Sequence, residues 1–157
     1  MLKHLTLFIC VLFSTLSASA QSWPTRPIKL VVPFPPGGLI DNMARLISGK
    51  LSQELGQPIV IENKPGAGGN IGATDVSKAT PDGYTLLMAS PPLTISPALY
   101  SKLPYKPESL SPIGLIGRVP NVLVVSPDSG IQSLAELTSK AKSQPGFLNY
   151  ASNGQGT

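Results

Sequence analysis

The chain has 157 residues, 41% hydrophobic, 13% charged and 6% aromatic, with a formal net charge of +4. This aliphatic content and modest charge exclude a disordered chain, and glycine lacks the three-residue period of collagen. Gly (15) and Pro (17) still make up about a fifth of the residues, against roughly 12% in average usage, and they gather between apolar runs.

Residues 1–20 read as a secretory signal. Lys3 and His4 give a polar start, Leu5 to Leu16 is an apolar run, and Ala18-Ser19-Ala20 is a small-x-small cleavage site before Gln21. The apolar run is shorter than the ~20 residues a membrane span needs. A lipoprotein signal would use Cys10, but Leu7-Phe8-Ile9 lacks the small residues that such processing expects. Cleavage after Ala20 removes the only Cys and the only His. The mature chain then has no disulfide, thiol nucleophile, imidazole base, or His or Cys metal ligand, and neither a metal nor a cofactor is expected. Loss of Lys3 leaves 11 basic against 8 acidic residues, a net charge of +3. The basic residues are scattered, so binding of nucleic acid gains no support.

The mature sequence alternates short β-rich runs with helical stretches. Ile28 to Phe34 is a strand candidate. Leu39 to Leu55 follows, with apolar residues at 39, 40, 43, 44, 47, 51 and 55, one face of a helix, and Gly56 is placed to end it. Pro58 to Asn63 predicts a second strand and Asn70 to Ala79 a short second helix. Tyr84 to Ala89 predicts a third strand after the turn Thr80-Pro-Asp-Gly83. This strand–helix alternation predicts an α/β fold with right-handed crossovers and a parallel sheet.

Residues 91–112 are rich in Pro and Ser, and Pro97 to Tyr100 suggests a short helical turn at most. Ile113 to Val119 and Asn121 to Val125 are apolar runs separated by Pro120. Ser133 to Ala141 is an amphipathic helix, and Phe147 to Ala151 predicts another strand. The ending Asn153-Gly-Gln-Gly-Thr157 reads as a loop opening a further helix, as in a fragment of a longer protein.

Three loops follow strands: Pro33 to Gly38, Lys64 to Asn70 and Ser152 to Thr157. Ligands of open α/β sheets bind beyond the carboxyl ends of the strands. Helix starts there offer unpaired N–H groups and the positive end of the dipole, and glycine lets the backbone approach an anion. The loops thus suit a small anion, most simply a carboxylate, with Lys64 their only cation. Proline and glycine can equally serve as turn punctuation. Gly66 to Gly72 has the spacing GxGxxxG rather than the dinucleotide GxGxxG, and no acid ends a strand about 20 residues later. Asp41 has two readings. It complements the dipole in the first helical turn and pairs with Arg45, or it lines the cleft. Ser90, Thr94, Asn153 and Thr157 are hydroxyl or amide candidates that could equally serve turns and caps.

Several segments together resemble the Bug family, the substrate-binding proteins of tripartite tricarboxylate transporters. They are Trp23 to Phe34, Pro36-Gly-Gly-Leu-Ile-Asp41, Ala44-Arg45, Glu62 to Gly72 and Pro81 to Thr85. The likeness continues through Pro97 to Tyr100, Arg118 to Val125, Ser133 to Leu137 and Leu148 to Thr157, spanning residues 23–157. It implies a two-lobed periplasmic-binding-protein fold of type II-like architecture, here an N-terminal fragment. Residues 21–120 would form most of the first lobe and residues 121–157 would begin the second, with Arg118 to Val125 crossing between them. It further implies a carboxylate gripped by Phe34, Pro35, Gly37, Gly38 and Asp41 of the first loop and by Asn153, Gly154, Gly156 and Thr157 of the second lobe. Gly66, Ala67, Gly68, Gly69, Ser90 and Thr94 would line the same cleft. One departure is Ser90-Pro-Pro-Leu-Thr94, where a polar, small-residue stretch is more usual; Asn153 and Gln155 fall where family members vary. The resemblance implies a monomeric periplasmic receptor for a small carboxylate, such as a di- or tricarboxylate or an acidic amino acid, serving membrane permease subunits without catalysis. An enzyme would need an Asp/Glu or Ser–Lys mechanism and shows no GxSxG elbow; a sensory or docking module on the same fold stays open.

Overall fold

Ile28–Val32 forms β1, the centre of a three-stranded parallel sheet flanked by β2 (Ile59–Asn63) and β3 (Thr85–Leu87). The structure, a computed structural model, describes residues 22–151. The signal segment to Ala20 and the candidate residues Asn153, Gly154, Gly156 and Thr157 lie outside that range. Ile28 stands opposite Ile59 and Val32 opposite Asn63, while Lys29 pairs with Thr85 and Val31 with Leu87. All three strands therefore end on the same edge of the sheet.

Helices cover both faces. The alternation of strand side chains sends Leu30 and Val32 to one side and Lys29 and Val31 to the other. On the first side lies α1 (Leu39–Leu55), whose Ile40, Met43 and Ala44 pack with Leu30, Val32, Ile59, Ile61, Leu86 and Met88. On the second lies α2 (Asn70–Ser77), whose Asp75 meets the Lys29 ammonium. Ile28, Val31 and Val32 are fully enclosed as a result, each burial being worth roughly 1.5–3 kcal/mol. Gly56 closes α1 in the left-handed conformation at φ 66°. Away from the strand ends, Trp23 Nε1 donates to the Asp82 carbonyl (3.1 Å) and the Arg26 guanidinium sits 3.9 Å above the Tyr84 ring. These contacts hold the chain where it enters β1.

The expected helix Leu39 to Leu55 and its glycine stop appear as read. The first strand is shorter than expected because Pro33 has no N–H to donate to a ladder. Two expectations are corrected. Residues 92–99 form an eight-residue helix, α3 (Pro92–Leu99), rather than a single turn at Pro97 to Tyr100. Pro92 stands in its first turn, where backbone N–H groups have no helical partner in any case, and only Pro97 removes an interior bond. Phe147 to Ala151, expected as a strand, forms no ladder: Phe147 N donates to the Gln144 carbonyl in a turn, and no strand pairs with the segment among the described residues. A strand exists only as one side of a ladder, and apolar composition supplies no partner. The runs Ile113 to Val119 and Asn121 to Val125 are unpaired on the same ground, with Ile113 83% and Val124 78% exposed. The amphipathic segment from Ser133 forms α4 (Leu134–Ser143), capped by the Ser133 hydroxyl accepting from Glu136 N (3.2 Å).

Candidate functional site

The carboxyl edge of the sheet gathers the loops that follow β1, β2 and β3. Pro33, Gly68, Gly69, Ala73, Leu87, Ala89, Ser90 and Leu93 line one small depression there. Of the candidates from the sequence, Gly68, Gly69 and Ser90 meet in it directly. Phe34 adjoins them, since a Cβ at Gly69 would stand 3.7 Å from Phe34 Cζ. Gly66 and Ala67 enter the adjoining 3-10 turn Ala67–Gly69, closed by Gly69 N donating to the Gly66 carbonyl (3.0 Å). Pro35, Gly37 and Gly38 form the exposed approach to α1.

Both α1 and α2 begin at this edge, and each begins on a glycine. Gly38 and Gly69 occupy the N-cap positions, and no side chain caps either helix. The first N–H groups of a helix need acceptors from outside it, and at these two starts no side chain supplies one. At α2 the backbone itself meets part of this demand, Gly69 N donating to the Gly66 carbonyl and Asn70 N to that of Ala67, and the start of α3 goes further. Pro91 and Pro92 have no N–H, Leu93 N donates to the Ser90 carbonyl (3.0 Å), and Thr94 N donates to that of Pro91 (3.0 Å). The Thr94 hydroxyl is likewise committed to the Pro91 carbonyl at 2.8 Å. This third wall thus offers an apolar surface and the half-buried Ser90, not a dipole with free donors.

Asp41 is drawn inside, with 1% of its surface exposed. Its carboxylate accepts from Gly37 N (2.8 Å), from Arg45 Nε (2.8 Å) and Nη2 (3.1 Å), and from Asn63 Nδ2 (2.9 Å). Arg45 foremost, then the Gly37 N–H and Asn63, holds this carboxyl far below the usual carboxylate range. The cap-like reading of Asp41 is close to the geometry, though the N–H it binds belongs to Gly37, one residue before the N-cap.

Lys64, the one cation of these loops, is spent on neighbours. Its ammonium lies 2.9 Å from Asp75 and 3.2 Å from Glu62, and Lys29 bridges the same two acids at 3.5 and 3.2 Å. Its pairing with Asp75 and Glu62 raises the Lys64 pKa, and the lysines hold both acids below their ordinary values. Two cations and two anions cancel, so this cluster presents no net charge to a ligand. No group of three or more metal-ligating side chains occurs among the described residues.

Sequence reasoning missed Asn63 and the pair Asn70–Tyr105. The amide of Asn63 ends β2 and also donates to the Phe34 carbonyl (3.0 Å); its one visible signal is a polar residue closing an apolar strand. Buried Tyr105 donates its hydroxyl to Asn70 Oδ1 (3.1 Å) at the start of α2, and nothing in the spacing of 35 residues announces that contact.

Comparison with known proteins gives a consistent set of matches. A family profile described as "Tripartite tricarboxylate transporter family receptor" matches residues 43–157. Protein BugT of Bordetella pertussis is 41% identical over 160 residues, covering 100% of this chain and 49% of its own. The structure of Rhodopseudomonas palustris Rpa4515 with adipate is 42% identical, with TM-score 0.73 over 78% of this chain and 42% of that one. MatC from the same organism, with bound malate, is 36% identical, with TM-score 0.67 over 77% and 42% of the two chains. The chain spans about half the length of the curated relatives it matches.

Proposed function

The chain belongs to the tripartite tricarboxylate transporter receptor family, and on that premise we propose that it is the ligand-gripping first part of a periplasmic receptor for a small organic carboxylate. In this reading residues 21–120 build most of one lobe and residues 121–157 begin a second. The signal segment is removed after Ala20. One ligand carboxylate accepts hydrogen bonds at the uncapped starts of α1 and α2, beside Phe34, Gly37, Gly38, Gly68 and Gly69. Ser90 and the apolar wall of α3 face the body of the acid, and Asn153, Gly154, Gly156 and Thr157 close on it from the second lobe. Only the closed form offers both sets of contacts, so ligand shifts the receptor toward closure. Membrane permease subunits then recognise that form, and no bond of the ligand is made or broken.

The observation that carries this reading is the pair of side-chain-free helix starts at one strand edge, in a family whose solved relatives include complexes with adipate and malate. An anion is the natural acceptor for such N–H groups, and the cancelled charge of Lys64 leaves the backbone as the main source of attraction. The full-length protein, purified natively and then denatured, is expected to release an organic acid identifiable by mass spectrometry. A thermal-shift panel of mono-, di- and tricarboxylates and acidic amino acids should then show selective stabilisation by mass action. Absence of a shift with every acid would count against the receptor reading.

A further inference from the structure

Around Asp41 the loop of residues 33–38 is bonded to two elements at once. Asn63 Nδ2 donates both to Asp41 Oδ1 (2.9 Å) and to the Phe34 carbonyl (3.0 Å), while the other Asp41 oxygen accepts from Gly37 N (2.8 Å). Phe34 and Gly37 bracket the loop, Asn63 ends the neighbouring strand and Asp41 lies in the first turn of α1. The three bonds therefore fix both halves of the loop to the end of β2 and to the helix that follows.

We propose that Asn63 and Asp41 are positioning residues that set the shape of the 34–38 loop for an anionic ligand they do not touch. Asp41 is buried and its oxygens are occupied, and Asn63 spends both hydrogens of its side-chain NH2 group on acceptors inside the protein. Arg45 binds both Asp41 oxygens and removes the negative charge that would otherwise oppose a carboxylate at the same helix start. A loop with prolines at 33, 35 and 36 and glycines at 37 and 38 has few donors of its own to hold a single conformation. Preorganising it lowers the ordering cost that binding would otherwise meet.

This inference rests on the receptor reading, and its test separates the two. Asn63→Asp keeps the size of the side chain but replaces the shared donor with an acceptor facing Asp41 and the Phe34 carbonyl. In the full-length protein, calorimetric titration with linear dicarboxylates from malonate to suberate, and with malate, is expected to show affinity at least tenfold weaker for Asn63→Asp than for wild type. Ligand-free hydrogen exchange of the peptide covering residues 33–38 is expected to accelerate, a local readout that a purely global loss of stability would not single out. If Asn63→Asp fails to fold, Asn63→Ala removes both bonds without adding charge and carries the same two expectations. Wild type that binds, with a folded variant binding within twofold of it or with unchanged exchange at 33–38, overturns the positioning role alone. Wild type that binds none of these acids overturns the receptor reading and the positioning role with it.

Discussion

Gly72 and Pro33 stand so close that a methyl group on Gly72 would come within 2.8 Å of Pro33 Cβ and 3.1 Å of its Cα. This approach seats the second helix directly against the loop leaving the central strand, and so sets how near the two uncapped helix starts come. Gly72→Ala must push backbone against backbone. It is expected to destabilise the full-length protein by about 1–3 kcal/mol, the usual range for overpacking, and to weaken carboxylate binding. Urea denaturation together with titration checks both.

Removal of core volume beneath the site should be felt strongly. Ile28 is fully buried at the head of the central strand, whereas Leu46 is 82% exposed on α1. Ile28→Ala is expected to cost about 2–5 kcal/mol and Leu46→Ala less than about 0.5 kcal/mol. Denaturant midpoints of the two variants, measured side by side, test the contrast.

Acid should weaken the fold, and the sign follows from the direction of the shifts. Asp41, Glu62 and Asp75 are all held below their ordinary values of 3.8, 4.5 and 3.8 by their hydrogen bonds to cations. Depressed carboxylates contribute fully above the unfolded values, and that contribution is lost as pH falls through 4.5 and 3.8 toward the lower folded values. Melting temperature should be insensitive to these groups from neutral pH down to about 5.5, roughly one unit above the highest unfolded value, and then decline. A melting temperature that rises between pH 5 and 3 would contradict the assignment.

Because Lys64 is neutralised by Asp75 and Glu62, it should matter little to the ligand. Lys64→Met is expected to lower the melting temperature slightly, since it leaves two half-exposed acids with Lys29 alone. Carboxylate affinity should change less than threefold, well below the effect expected for Asn63→Asp. Titration of the two variants under one salt concentration makes the comparison, because exposed charges are screened by salt.

The sequence announces some of this architecture and hides the rest for physical reasons. Leu39 to Leu55 is legible because its apolar residues repeat every three or four positions and Gly56 stops it. Parallel pairing is legible because helical crossovers alternate with apolar runs. The helix Pro92–Leu99 is hidden because proline marks both turns and helix starts, and its place at a first turn shows only in three dimensions. Phe147 to Ala151 misleads because strand propensity measures fit to a sheet, not the existence of a partner. Within the site, the glycine loops are visible by composition. The bonds of Asn63 to residues 22 and 29 positions away depend on strand register, which no local pattern encodes.

Calorimetric titration of the full-length protein tests most directly whether the ligand is recognised as a carboxylate by backbone donors. The thermal-shift panel selects the dicarboxylate, and its dimethyl ester serves as the uncharged counterpart of equal chain length. The acid is expected to bind with saturable one-to-one stoichiometry, unchanged after recovery, while the ester shows at least a hundredfold weaker affinity. Equal binding of acid and ester, or consumption of the acid, would contradict the receptor reading.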